Sequence, residues 1–228
     1  MIELEIRDSV ARIRFAAGDN ALNPAFLDDF ESALDRAEAA GAGAFITTGS
    51  GRFYSTGLDL AWLGGEGREQ AGPFLERVHR VFGRVLASPL FGVAAIGGHA
   101  FAAGAMLALA HDTCVMREDR GYFCLPEIDL ATGQPLTAGM MALIASRLPP
   151  RALHEAIATG RRYGGRAAAA LGIVQQAYPE EELIAAALAL ASAQAERDPE
   201  TRRALKQLLY GPALAALEAP LPNFRAST

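Results

Sequence analysis

A single carboxylate interrupts an apolar run in GYFCLPEIDL (121–130), where Glu127 is flanked by Leu125, Pro126, Ile128 and Leu130. A glutamate buried among such neighbours loses the hydration that favours its charged form, so its pKa rises and it becomes a stronger base near neutral pH. Two further stretches have the make-up of backbone anion sites. In GRFYSTGLDL (51–60) and GGHAFAAGAML (97–107), glycines and small residues fall where a strand gives way to a helix. Backbone N–H groups at such a junction lack helical partners, and a ligand can approach them closely. The structural alternatives are a salt-bridged or solvent-facing Glu127 and glycines that serve only tight turns. Two similar loops in one chain favour a shared purpose.

Other reactive side chains do not assemble into a known device. GGHAFAAG lacks the Gly-Lys-Ser/Thr ending of a phosphate-binding P-loop and is a poor dinucleotide fingerprint. Ser55 and Thr56 stand in YSTGL, which departs from the Gly-x-Ser-x-Gly nucleophile elbow. His79, His99, His111 and His154 are dispersed, with neither metal spacing nor a paired nucleophile and acid. Cys114 and Cys124 lie in apolar runs and read as reduced, buried hydrophobes. Asp59 precedes a helix start, where an acid usually caps free N–H groups. Asp129 shares a face with Glu127 only if the strand continues past Pro126. Leu60, Trp62 and Leu63 read as lining of an apolar passage or as core.

The elements that must position these residues follow a regular grammar. IELEIRDSVARIRFAA alternates on both sides of Asp8-Ser9, which predicts an antiparallel hairpin. Asn23 caps a helix that begins at Pro24, buries Phe26, Leu27, Phe30 and Leu34, and ends near Gly41. A strand at 43–49 leads into the first glycine loop; a helix through FLERVHRVFGRVLAS and a strand FGVAAIGG lead into the second. TCVMRED and GYFCLPEIDL complete the β-rich part, the latter read as a buried strand that carries Glu127. From Thr137 the pattern is almost wholly helical, with a short strand in IVQQAYP, a helix from Glu180 to Arg197, and a proline-bearing tail, GPALAALEAPLPNFRAST, expected to be partly extended. The 228 residues suffice for one sizeable core. A net charge of -5, with twenty scattered arginines and one lysine, Lys206, argues against nucleic acid. The chain carries no run apolar enough to span a membrane and no secretory or transit pattern, so a cytoplasmic location is expected.

DNALN (19–23), RFYSTGLDL (52–60), GHAFAAG (98–104) and LPEIDL (125–130) occur in the order and approximate spacing of the enoyl-CoA hydratase/isomerase, or crotonase, superfamily. The resemblance spans at least residues 1–180, and DRGYFCLPEIDL followed by PLTAGMMALI looks closest to the Δ3,Δ2-enoyl-CoA isomerase branch. It implies an α/β fold: a crotonase-like spiral of ββα repeats over 1–180 with a helical C-terminal region over 181–228, in the same domain or as a small trimerisation appendage. It also implies an acyl-CoA substrate, a homotrimer or pair of trimers, and no metal or redox cofactor. Carried over residue by residue, the family's oxyanion hole falls on the amides of Leu58 and Ala103. Ala103 stands where the family usually has glycine, which is acceptable if its φ is negative. Ala21, Ser55, Gly57, Asp59, Leu60 and Gly104 fall on substrate-binding positions.

Hydratases of the family use two glutamates. One matches Glu127; the other matches position 106, which is Met here. A thioether can neither take nor deliver a proton, so the pair that would activate water is incomplete. Moving a double bond from C3 to C2 in fatty-acid breakdown needs only one carboxylate, and this is the reaction the resemblance favours. The alternatives are a hydratase or other enolate-forming member of the family, and a non-catalytic acyl-CoA-binding protein.

Overall fold

The computed structural model, which describes residues 1–130 and 136–221, has a large sheet covered on both faces. β1 (Ile2–Arg7), β2 (Val10–Phe15), β3 (Ala44–Gly49), β5 (Phe91–Ile96), β7 (Thr113–Arg117) and β9 (Gln176–Tyr178) form one sheet in the order β1-β2-β3-β5-β7-β9. The first pair is antiparallel, turned by Asp8 and Ser9 at φ 49° and 62°. The remaining pairs are parallel. Val10, Ala44, Ile46, Val93, Ala95 and Val115 face α8 (Glu180–Ala195), which lays Leu183, Ala187 and Ala191 on them at a spacing of four. Phe15, Phe45, Ala94, Ile96, Cys114 and Met116 point the other way, into the main core.

α1 (Pro24–Ala39) and α3 (Ala71–Leu86) supply the core from the other side. Asn23 caps α1 as expected, accepting from the Phe26 N–H at 2.9 Å. Cys114 and Cys124 are free and buried, and burial pushes the Cys114 thiol up to about 12. His111 is buried too, with Nδ1 2.8 Å from the Leu107 carbonyl and Nε2 2.9 Å from Thr47 Oγ1. Loss of hydration pulls its pKa down to about 3, which makes it a neutral strut between α4 (Ala103–Leu109) and β3.

The tail, expected to be partly extended, is helical as far as Glu218 and extended at Ala219. α9 (Pro199–Glu218) runs through Pro212 because Ala213 and Leu217 are buried against α3 and α5 (Ala138–Arg147), which outweighs one missing backbone hydrogen bond. Residues 222–228 of that tail lie outside the described residues. The strand expected to carry Glu127 stops early: β8 is only Phe123–Cys124. Pro126 follows with φ -86° and ψ 19°, and a 3-10 turn covers Glu127–Asp129. Without an N–H, Pro126 cannot extend the ladder.

β8 belongs to a second sheet that short-run periodicity could not reveal. β4 (Phe53–Ser55), β6 (His99–Phe101) and β8 lie parallel in that order, each following a strand of the large sheet. The chain thus repeats long strand, short strand, helical segment three times, which is the spiral of ββα units that the resemblance implied.

Candidate active site

Three short parallel strands in register end side by side, so the segments that follow them must meet. Ser55 pairs with Ala100 and Ala100 with Phe123, one residue short of the pair Phe101–Cys124. Beyond these ends come Thr56–Asp59, Ala102–Gly104 and Leu125–Asp129, the three segments singled out for chemistry. In parallel sheets the carboxyl ends of strands are the usual place for a ligand.

Glu127 is 5 % exposed, and its Oε2 has no hydrogen-bond partner. Burial pushes its pKa up to about 7, and only a backbone hydrogen bond within its own residue opposes that shift. The side chain is held by the 3-10 turn, closed by Asp129 N–H to Pro126 O at 2.9 Å and Leu130 N–H to Glu127 O at 3.1 Å. Cys124 Sγ donates to the Gly160 carbonyl at 3.2 Å, which ties the foot of the turn to the end of α6 (Pro150–Thr159). Asp129 is exposed, so the turn separates the two acids.

The Leu58 amide is aimed by its neighbours. Leu22 N–H donates to Gly57 O at 2.8 Å and Asp59 N–H donates to Leu22 O at 2.9 Å. In an extended segment these groups share one edge, so the N–H of Leu58 points from the opposite edge. Among the described residues neither the Leu58 nor the Ala103 N–H donates a hydrogen bond. The two lie close together: a Cβ at Gly57, whose φ is +92°, would sit 2.9 Å from Ala103 N.

Ala103 opens α4 without positive φ; the strained residue is Ala102, at φ 48° and ψ -125°. That conformation belongs to glycine at the first position of a type II′ turn, and costs an alanine about 1–3 kcal/mol. Ala102→Gly is therefore expected to stabilise the protein by about 1 kcal/mol, read as a rise of about 2–4 °C in melting temperature. An unchanged or lower midpoint would show that the Ala102 methyl offsets the strain by packing.

The other predicted site residues take distinct places. Asp59 caps α2 (Leu60–Gly64), accepting from Trp62 N–H at 2.9 Å and from Asn23 Nδ2 at 3.1 Å. Leu60 is 63 % exposed at the mouth, whereas Leu63 is core and Trp62 packs edge-on against Phe74. Ala21 is half-buried in the strip that contacts the first loop. Ser55 is fully buried, and Gly104 is the glycine that admits it: a Cβ there would lie 2.6 Å from the Ser55 carbonyl oxygen. Met106 lies in the main core and is nearly inaccessible. His99 turns outward from the small sheet among Phe53, Phe101 and Tyr122. Burial, then Arg52, Arg120 and Arg162, lower its pKa. Asn20 was missed. It is wholly buried beside the first loop at φ 53°, and an asparagine before a helix cap was the available signal.

Comparison with known proteins agrees with this geometry. Residues 5–221 match the family model for enoyl-CoA hydratase/isomerase. Enoyl-CoA delta isomerase 3 of Arabidopsis thaliana is 34% identical over 188 residues, covering 78% of this chain and 76% of the relative. A probable enoyl-CoA hydratase of Bacillus subtilis is 35% identical over 205 residues, covering 89% and 78%. The crystal structure of an enoyl-CoA hydratase from Mycobacterium ulcerans superimposes with a TM-score of 0.88 at 25% identity, covering 96% of this chain and 95% of that one. With the spiral of ββα units and the match across nearly its whole length, the chain belongs to the enoyl-CoA hydratase/isomerase family.

Proposed function

We propose that this chain is an isomerase that moves the double bond of a 3-enoyl-CoA to C2, as fatty-acid breakdown requires. The observation that carries the reading is Glu127: a buried carboxylate with an unpartnered oxygen and a pKa near 7, which among the described residues no second acid perturbs. Asp129 is exposed, Asp59 is engaged as a helix cap, and position 106 is Met. Sequence identity does not separate the two reactions, since an isomerase and a hydratase stand at 34% and 35%. The chemistry supports the isomerase, because adding water calls for a second proton-transfer group.

In the proposed cycle the Glu127 carboxylate removes a proton from C2. The electrons of that C–H bond move into the thioester, and the resulting dienolate oxygen is held by the Leu58 and Ala103 amides. Protonated Glu127 then returns the proton to C4, which leaves the double bond between C2 and C3. Nothing is gained or lost, and the shuttle calls for no metal or redox cofactor. Leu205, Leu208 and Leu209 form an exposed stripe on α9, which supports the homotrimer or pair of trimers as the working assembly. Among the described residues no helix is long and apolar enough to cross a membrane.

The test supplies purified protein with 3-enoyl-CoA and, separately, with 2-enoyl-CoA. Conjugation of the first, seen by absorbance, is expected; dominant hydration of the second would overturn the isomerase reading. Binding without turnover of either would favour an acyl-CoA-binding protein. Because Glu127 must start ionised, kcat/KM should rise with pH, with a midpoint of about 7, and level off above it. A profile flat from pH 5 to pH 8 would exclude Glu127 as the base.

A further inference from the structure

The amide of Leu58 is only as well placed as the loop that carries it, and that loop hangs on two buried polar side chains. Asn20 is 0 % exposed and uses its whole amide. Its Oδ1 accepts from Ala17 N–H at 2.9 Å, while Nδ2 lies 3.0 Å from Phe53 O and 3.2 Å from Tyr54 O, both in the strand that leads into the loop. Its own φ of 53° turns its carbonyl toward Ser55, whose Oγ donates to it at 2.8 Å. The same Oγ accepts from the Gly57 N–H at 3.2 Å. An unbroken relay thus runs from Asn20 through Ser55 to Gly57, the residue whose carbonyl bonds Leu22 and whose next peptide carries the Leu58 N–H. Asn20 and Ser55 are both fully buried, and their side-chain hydrogen bonds are internal, so what they supply is position.

We propose that Asn20 and Ser55 are positioning residues for the oxyanion hole, fixing the Leu58 amide against that of Ala103; this rests on the reading of those amides given above. The relay replaces what a free loop would have to organise at each turnover, and preorganised donors are what make an oxyanion hole effective. It acts on the enolate rather than on the bound ground state, so its loss belongs in kcat and not in KM.

The test uses Ser55→Ala and Asn20→Gly, glycine being chosen because it accepts the positive φ and removes only the side chain. Each is assayed for isomerisation, and each is mixed with a 3-oxoacyl-CoA, whose enolate absorbs in the near ultraviolet when an oxyanion hole stabilises it. Each variant should lose about tenfold or more in kcat with KM within about twofold, and weaken the enolate band at saturating ligand. The double variant should be little worse than Asn20→Gly alone, because the Asn20 side chain fixes the backbone carbonyl to which Ser55 Oγ donates, so that without it the Ser55 bond has little left to hold. A merely structural role would lower the melting temperature and leave kcat per folded molecule and the band intact, which would overturn the proposal. A wild-type protein without the band would overturn both the hole and the positioning roles that depend on it. A wild-type band that weakens in the variants would support those roles even if isomerisation itself were not observed. Should Asn20→Gly fail to fold, Ser55→Ala decides by the same criteria.

Discussion

Glu127→Gln should lower isomerase kcat by about a thousandfold while making the folded protein more stable above neutral pH. The first effect follows from the loss of the proposed proton carrier, since a positioned general base contributes about 10²–10⁴ in rate. Glutamine keeps the shape and removes the base, so binding of the thioester should survive. The second effect follows from the cause of the raised pKa, which is burial of the charged form without a partner. The folded state holds this proton up to about pH 7, whereas an unfolded chain releases it near 4.5. The proton therefore favours folding below pH 4.5, and that contribution is lost as pH rises through 7. The gap corresponds to about 3 kcal/mol of lost stability at alkaline pH, an order-of-magnitude figure. Urea denaturation should find the Glu127→Gln advantage growing by about 2 kcal/mol between pH 5 and pH 8. An advantage constant with pH would mean that the carboxylate is solvated in the folded protein, and an unimpaired kcat would remove it from the mechanism.

A site that costs stability when charged is the kind of local conflict that sequence patterning exposes well. Glu127 stood out because its neighbours were apolar, and the two glycine loops because they punctuated strand-to-helix transitions. Much of the large sheet was equally legible: all of its strands but the three-residue β9 have five or six residues, enough to read as strands, and Asn23 and Pro24 announce α1. What was hidden is the small sheet that joins the motifs. β4, β6 and β8 have three, three and two residues, too few to show a period, and their pairing partners lie far along the chain, from Phe53 to His99 and from Phe101 to Cys124. Their parallel register converts three separate sequence motifs into one site. Asn20 was hidden for another reason. Its type suited a turn, and only the burial of its amide against Phe53 and Tyr54 distinguishes a relay from an ordinary loop asparagine. How far the helix runs through Pro212 was not legible, because the local cost of the proline is readable in sequence while the contacts of Ala213 and Leu217 that outweigh it are not.

The proposed oxyanion hole cannot be deleted by truncating Leu58 or Ala103, because both of its proposed donors are backbone amides, but Gly57 offers a side-chain handle on it. At φ +92° an L-residue is strained whatever the space around it, and the space is occupied. A methyl at Gly57 would lie 2.9 Å from Ala103 N, 2.9 Å from Phe101 O and 3.1 Å from the Ala102 Cβ. Two of these are backbone atoms at the junction of β6 and α4, and no side-chain rotation relieves them. The first loop must therefore move away from the second, which pulls the Leu58 amide out of line with that of Ala103 and loosens the bond from Leu22 to Gly57 O. Gly57→Ala should accordingly behave as the loss of one oxyanion donor, about 10²–10³ in kcat, with Glu127 intact and its pH midpoint unchanged. Stability should fall as well, by about 1–3 kcal/mol for the backbone strain. The unmoved pH profile separates this variant from any that disturbs the base. Near-normal kcat in a folded Gly57→Ala protein would mean that the two loops do not act together on the substrate, and the oxyanion assignment to Leu58 would fall.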